Sequence, residues 1–318
     1  MTRHKMWTTA AASSVLVLAF AGCQREDRAA RASGGDAPRA AVDPAFAQAE
    51  QAWRDARRAR LASPDGWTSL IGLHWIDPGP HYFGSAATNG IRLAMGPAHF
   101  GMIERKGDAI VLTPDRSAAL TLDGEPLLRP TTLKSDADEA GANVLGFDEG
   151  KGIASVIKRG DRYALRVKHA DADTRVRFAG LDYWPADAGW RLDGKFVPHP
   201  AGKTIPVANI IGTIDAVPNP GKVEFQHGGK TWSLEALDEG EGLFLIFADR
   251  TSGHESYGAG RYIDAPDPDA SGRVVVDFNQ AYNPPCAFTP FATCPLPPPE
   301  NRLDLAINAG EKAYKQAH

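Results

Sequence analysis

The chain has 318 residues, with 35 Lys and Arg against 39 Asp and Glu, a net charge of −4. That acidic balance argues against nucleic acid as a partner and against broad electrostatic adhesion to anionic lipid. The length exceeds the usual single-domain size, so two β-rich parts are expected.

The first residues, "MTRHKMWTTAAASSVLVLAFAGCQRED", place Arg3, His4 and Lys5 before an apolar run that ends at Cys23. The run is too short to span a bilayer and is followed at once by charge, so residues 1–22 read as a secretory signal. Phe20-Ala21-Gly22-Cys23 resembles a bacterial lipobox, which implies lipidation of Cys23 and a protein anchored to the membrane rather than spanning it. Gln24 follows the cysteine where an aspartate commonly retains lipoproteins in the inner membrane, so the expected location is the periplasmic face of the outer membrane. Loss of residues 1–22 removes two of the 35 basic residues and no acid, leaving 33 against 39, a charge of −6. Residues 23–43 are alanine, glycine and charge without apolar period, a flexible tether.

Asp43-Pro44 supplies a cap and a first-turn proline, so a helix is predicted from 44 to about 61. Phe46, Ala49, Trp53 and Ala56 form its apolar stripe, and its arginine-rich other face reads as solvated. "SPDG" at Ser63 ends it. From Trp67 to about Phe278 short runs with period near two alternate with Gly, Asn, Asp and Pro. "ASVIKRGDRYALRVKH" reads as a hairpin, and its Arg-Gly-Asp as the turn rather than an adhesion motif. "VEFQHGGKTWSLEAL" is a second hairpin with Gly228-Gly229 at its tip. "GLFLIFADRTSG" is a buried strand leading into a loop. "ESYGAGRYIDAPDPDASGRVVVDFN" reads as a third hairpin with a long acidic loop. A last helix is expected from Arg302 to about Lys315, capped by Asn301. The fold class is mainly β: a sandwich-like part after the first helix (44–130) and a second β-rich part (131–318), flanked by the two helices.

Two tempting motifs fail. "GGKT" at Gly228 lacks the earlier glycine of a phosphate loop, since Glu224 stands there. "HESYG" puts His254 where a nucleophile elbow needs a small residue. The nine histidines form no ligand pair at metal spacing, and no cofactor motif is present.

Several stretches together resemble a bacterial family known as "domain of unknown function 1684": "SPDGWTSLIGLHWIDPG", "FGSAATNGIRL", "KRGDRYALRV", "FADRTSGHESYGAGRY" and "DFNQAYNPPCAFTPFATCPLPPPENRL". The resemblance covers residues 45–315 and implies no activity or substrate. Residues 83–127 are similar in layout to a forkhead-associated domain. Ser85 and Gly96 stand where such domains carry their phosphate-binding arginine and serine, so only a β-sandwich shape follows.

The candidate site lies in the third hairpin. With Arg261 opposite Asp277, Glu255, Tyr257 and Arg261 share a face with Asp277 and Asn279, and Asp249 stands nearby. One reading is a pocket: Arg261 binds a carboxylate or phosphate, Glu255 or Asp277 acts as general base and Tyr257 as donor, with hydrolysis as the reaction class. The other is a structural network that satisfies irregular backbone. The function is then either binding of a small polar or anionic ligand or a non-catalytic role in the cell envelope. The segment from Asn283 to Leu303 holds seven prolines with Cys286 and Cys294, a rigid clamp walling one side of the polar face. In an exported protein, two cysteines so spaced predict a disulfide, worth about 2.5 kcal/mol by loop entropy. A metal site there would need two more ligands, with His254 the sole nearby histidine.

Overall fold

The structure is a computed structural model describing residues 43–238 and 240–315; the signal, Cys23 and the tether before residue 43 lie outside them. Among the described residues no helix is long and apolar enough to cross a membrane. The protein is mainly β, as expected.

The first helix runs Pro44–Ala62, and the Asp43 carboxylate accepts from the Ala45 amide at 3.0 Å. Its buried face is not the apolar stripe. Glu50, Arg57 and Leu61 are the buried residues, while Ala49 and Ala56 are exposed. Arg57 donates through Nε to Glu311 at 2.9 Å and through Nη2 to the Asn283 carbonyl at 2.9 Å. The arginine face expected to be solvated therefore docks the helix on the end of the chain.

Two sheets form the front half. Leu70–Trp75, Arg162–His169, Gly152–Arg159, Leu145–Phe147, Thr121–Leu122 and Glu125–Pro126 make one, in that spatial order. Ile91–Arg92, Gly79–Gly84, Gly101–Lys106, Ala109–Pro114 and Thr131–Leu133 make the other. Phe83, Phe100, Ile103, Leu112, Phe147 and Leu165 fill the core of this half. The hairpin at 152–169 thus packs with the front half, past the division expected at residue 130. Its turn closes because Gly160 takes φ +60° between the two paired strands. Ala154, Val156, Leu165 and Val167 face the core, and Arg159, Arg162, Arg166 and Lys168 take the opposite face.

The second half is built on Lys230–Ala236, Gly221–His227, Arg191–Pro198 and Arg273–Asp277, flanked by the pairs Thr204–Ala208 with Ile214–Pro218 and Leu243–Phe247 with Arg261–Ala265. Gly228 and Gly229 at φ +58° and +72° close the predicted tip. Leu243–Phe247 is buried throughout, as its apolar run requires. Both halves belong to one compact unit.

The third hairpin does not form. Arg261–Ala265 pairs with Leu243–Phe247, and Arg273–Asp277 pairs with Arg191–Lys195. Each strand finds an earlier partner, so the register that set Arg261 opposite Asp277 is replaced by Arg261 opposite Phe247 and Asp277 opposite Arg191.

The C-terminal helix is also absent: residues 302–315 run as an irregular strap. Their backbone groups are taken by other segments, which leaves none for an i to i−4 ladder. The Leu303 amide donates to Ala248, Glu311 to Ala281, Lys312 to Asp182 and Ala313 to Glu255. Gly310, at φ +79°, passes so close to Ala281 and Phe278 that a Cβ would sit 2.5 and 2.7 Å from their carbonyl oxygens. Asn301, the expected cap, is fully buried and holds the Glu235 and Ile246 carbonyls instead.

Candidate functional site

The residues gathered by the sequence argument separate into two structural networks and one exposed turn. Arg261 is completely buried. Its Nη2 donates to Asp249 at 3.1 Å and to the Ile307 carbonyl at 3.0 Å, and its Nη1 to the carbonyls of Ala309 and Glu311. The rings of Trp184 and Phe247 cover it at 5.1 and 5.2 Å. Burial pushes its pKa down, and the Asp249 charge opposes that. Asp249 also accepts from the Ile307 amide at 2.8 Å and the Thr251 hydroxyl at 2.7 Å. The guanidinium is the tie that holds the strap.

Asp277 and Asn279 form the second network. Asp277 accepts from Arg191 at 2.7 Å and from both the amide and the side chain of Asn279, which in turn bonds both backbone groups of Asp187. Glu255 is exposed, and its backbone carbonyl receives the Ala313 amide. The period-two face that joined it to Arg261 does not exist, because 253–260 is a sequence of turns. Tyr257 donates its hydroxyl to the Cys286 carbonyl at 2.9 Å, steadying the proline segment.

That segment does wall a site, but a different one. A cavity of about 870 Å³ opens between the first helix, the outer face of the 152–169 hairpin and the second half. Trp53, Arg57, Arg60 and Trp67 line one side, and Arg159 and Arg166 the next. Asn209, Asp215, Phe244, Tyr262, Asp264 and Tyr282 lie across from them, and Pro285, Thr293, Cys294 and Pro295 close it. Arg159 Nε and Arg166 Nη2 converge on the Thr293 hydroxyl oxygen at 3.1 and 3.4 Å. Arg159 is neutralised by Asp136 at 2.8 Å. Arg166 is not: among the described residues it has no ion pair, and its buried Nε has no partner. Trp67 lies 5.3 Å from both the Arg166 guanidinium carbon and the Lys168 ammonium. A ring face therefore stands where a carboxylate would be expected. Burial and the neighbouring Arg159 charge push the Arg166 pKa down.

Cys286 and Cys294 are both free thiols, with the Cys286 amide 3.2 Å from the Cys294 sulfur. Their mutual hydrogen bond lowers the Cys286 pKa and raises that of Cys294. Among the described residues no cluster of three or more His, Cys, Asp or Glu could hold a metal.

Arg159 and Arg166 were missed as site residues, yet they leave a signal. "RGDRYALRVKH" spaces Arg162, Arg166 and Lys168 at even intervals on one strand face, with Arg159 across the turn. A half-buried strand with three cations on its outer face needs either solvent or an anion.

The fold and cavity define a β-rich protein of two cores with a cationic, aromatic-walled cleft between them. Residues 176–312, somewhat under half of the chain, match the family described as "Protein of unknown function (DUF1684)", which this part of the chain resembles. It is similar to an uncharacterized protein of Haloarcula marismortui solved by solution NMR. The two are 31% identical over 43% of this chain and 78% of the other, with a TM-score of 0.36. No curated protein matches it.

Proposed function

We propose that this is a lipid-anchored protein facing the periplasm from the outer membrane, and that it binds a small anionic ligand in the cavity over Arg166. One observation carries the binding reading: a half-buried guanidinium with no ion pair among the described residues and a buried, unpartnered Nε–H, at the wall of a cavity large enough for a ligand. A partly desolvated charge without an ion pair is costly to hold in a fold, so a charge that persists calls for a partner arriving from outside. The cavity volume falls in the range of small-molecule sites, about 300–1,000 Å³. Binding is favoured over hydrolysis, because Glu255 is exposed and Asp277 is committed to Arg191 and Asn279.

The expected result is a rise in melting temperature with millimolar carboxylates or phosphate monoesters, weakened by added salt. Saturation at a hundredfold excess over Kd stabilises by about 2.7 kcal/mol. No shift with any anion of a broad panel would overturn the reading.

The anchor and the disulfide are tested together. The intact mass of the protein from the envelope fraction should carry the acyl groups of a lipidated Cys23 and be two hydrogens lighter than the reduced form. Adjacency of Cys286 and Cys294 supports the second expectation, and the exporting signal supports the first. An unacylated chain or two alkylatable thiols would each reject the corresponding half.

A further inference from the structure

The cavity has two charged ends. Pairing Arg57 with Glu311 and Arg159 with Asp136 leaves Arg60 and Arg166 as its positive lining groups and Asp215 and Asp264 as its negative ones. Among the described residues neither aspartate has an ion pair; Asp264 receives only the Tyr282 hydroxyl, on Oδ1 at 2.9 Å. The two ends are held apart by a traceable path. Thr293, which touches both hairpin arginines, is followed two residues later by Pro295, whose carbonyl accepts from the Tyr262 hydroxyl at 2.7 Å. Asp264 lies two residues beyond Tyr262 on the same face of its strand, about 6.6 Å along the backbone. Of the two groups that define the ends, Arg166 is half-buried and Asp264 is exposed.

A simple anion satisfies only one of these ends. A ligand with a carboxylate at one end and an ammonium at the other satisfies both. In a single amino acid the two charges sit on one carbon, too close for ends separated by a tyrosine side chain and two strand positions. Each further residue of an extended chain adds about 3.3–3.6 Å. We propose that the ligand is a short peptide, of roughly two to four residues by that spacing, with both termini free. Its carboxylate meets Arg166 beside Thr293, its amino group meets Asp264, and its side chains lie against Tyr262 and Phe244. This rests on the anion-binding reading of the same cavity.

The test is calorimetric titration of the full mature chain with alanyl-tyrosyl-alanine, its N-acetylated form, its C-terminal amide, and glucuronate as an anion without an amine. The free tripeptide is expected to bind at least tenfold more tightly than either blocked form. Arg166→Gln should abolish the preference over the amide, and Asp264→Asn the preference over the acetylated form. Equal binding of the free and acetylated peptides, or tighter binding of glucuronate, would overturn the peptide inference while leaving the anion site standing. Binding of none of the four would count against both. The blocked-ligand comparison is made on the unaltered protein, so it holds even if a variant fails to fold.

Discussion

Asp249→Ala is expected to destabilise the fold by about 3–5 kcal/mol, the usual penalty for stripping one partner from a buried ion pair. Arg261 is fully buried, and Asp249 is the sole carboxylate that bonds its guanidinium among the described residues. Removing that carboxylate leaves the cation facing only carbonyls. It also releases the Ile307 amide and the Thr251 hydroxyl, both of which Asp249 accepts. The strap at 302–315 is therefore the element expected to loosen. Asp277→Ala is the comparison. Its partner Arg191 is about half exposed in its side chain and can turn to water, so the loss reduces to the Asn279 groups left unpaired, about 1–3 kcal/mol. Denaturant unfolding of the two variants measures both. A loss below about 1 kcal/mol for Asp249→Ala would place the pair in the class of solvent-exposed bridges and contradict the buried tie described above.

Local patterns were legible in the sequence, and distant pairings were not. The hairpins at 152–169 and 221–236 could be read because strand, turn and strand are contiguous and Gly160 and Gly228-Gly229 mark the turns. The helix start at Asp43-Pro44 could be read because capping is a contact across two residues. Alternation in 261–265 and 273–277 was correctly seen as strand, but alternation says nothing about which strand lies alongside. A seven-residue acidic loop between them suggested a hairpin, while the actual partners lie upstream at 243–247 and 191–195. The last helix failed for a related reason. "NRLDLAINAGEKAYK" has a plausible helical stripe, but Arg261 and Asp249 recruit its carbonyls and amides, and tertiary bonds override propensity.

The cavity shows the limit most plainly. Trp53, Arg166, Tyr262 and Thr293 come from four stretches spread over most of the described chain. What the sequence does carry is chemistry without placement: an outward cationic strand face, and a proline-rich segment stiff enough to present Thr293 in one position. The proline segment was read rightly as a wall and assigned to the wrong room, because its position depended on the hairpin that does not form.

Arg166→Met should move stability and binding in opposite directions. Arg166 holds a half-buried charge with no ion pair among the described residues, a buried unpartnered Nε and one long hydrogen bond of 3.4 Å to Thr293. Methionine keeps an unbranched apolar side chain against Trp67 and removes the cost of desolvating a cation. The contact with Trp67 contributes about 0.5–2 kcal/mol, and the effective penalty for a buried ion is several kcal/mol. The desolvation term is the larger, so the variant should be more stable by about 1 kcal/mol, a rise of roughly 2–4 °C in melting temperature for a chain of this size. The same change removes the charge-assisted hydrogen bonds offered to the ligand, each worth about 1.5–3 kcal/mol. Affinity for the anion should then fall by about 10- to 100-fold. This opposition is the expected mark of a residue kept for function at a cost in stability, and it contrasts with Asp249→Ala, where only stability should fall. If Arg166→Met lowered the melting temperature by several degrees and left anion-induced stabilisation intact, Arg166 would belong with Arg261 as a structural tie, and the cavity would lose the group that makes it a site.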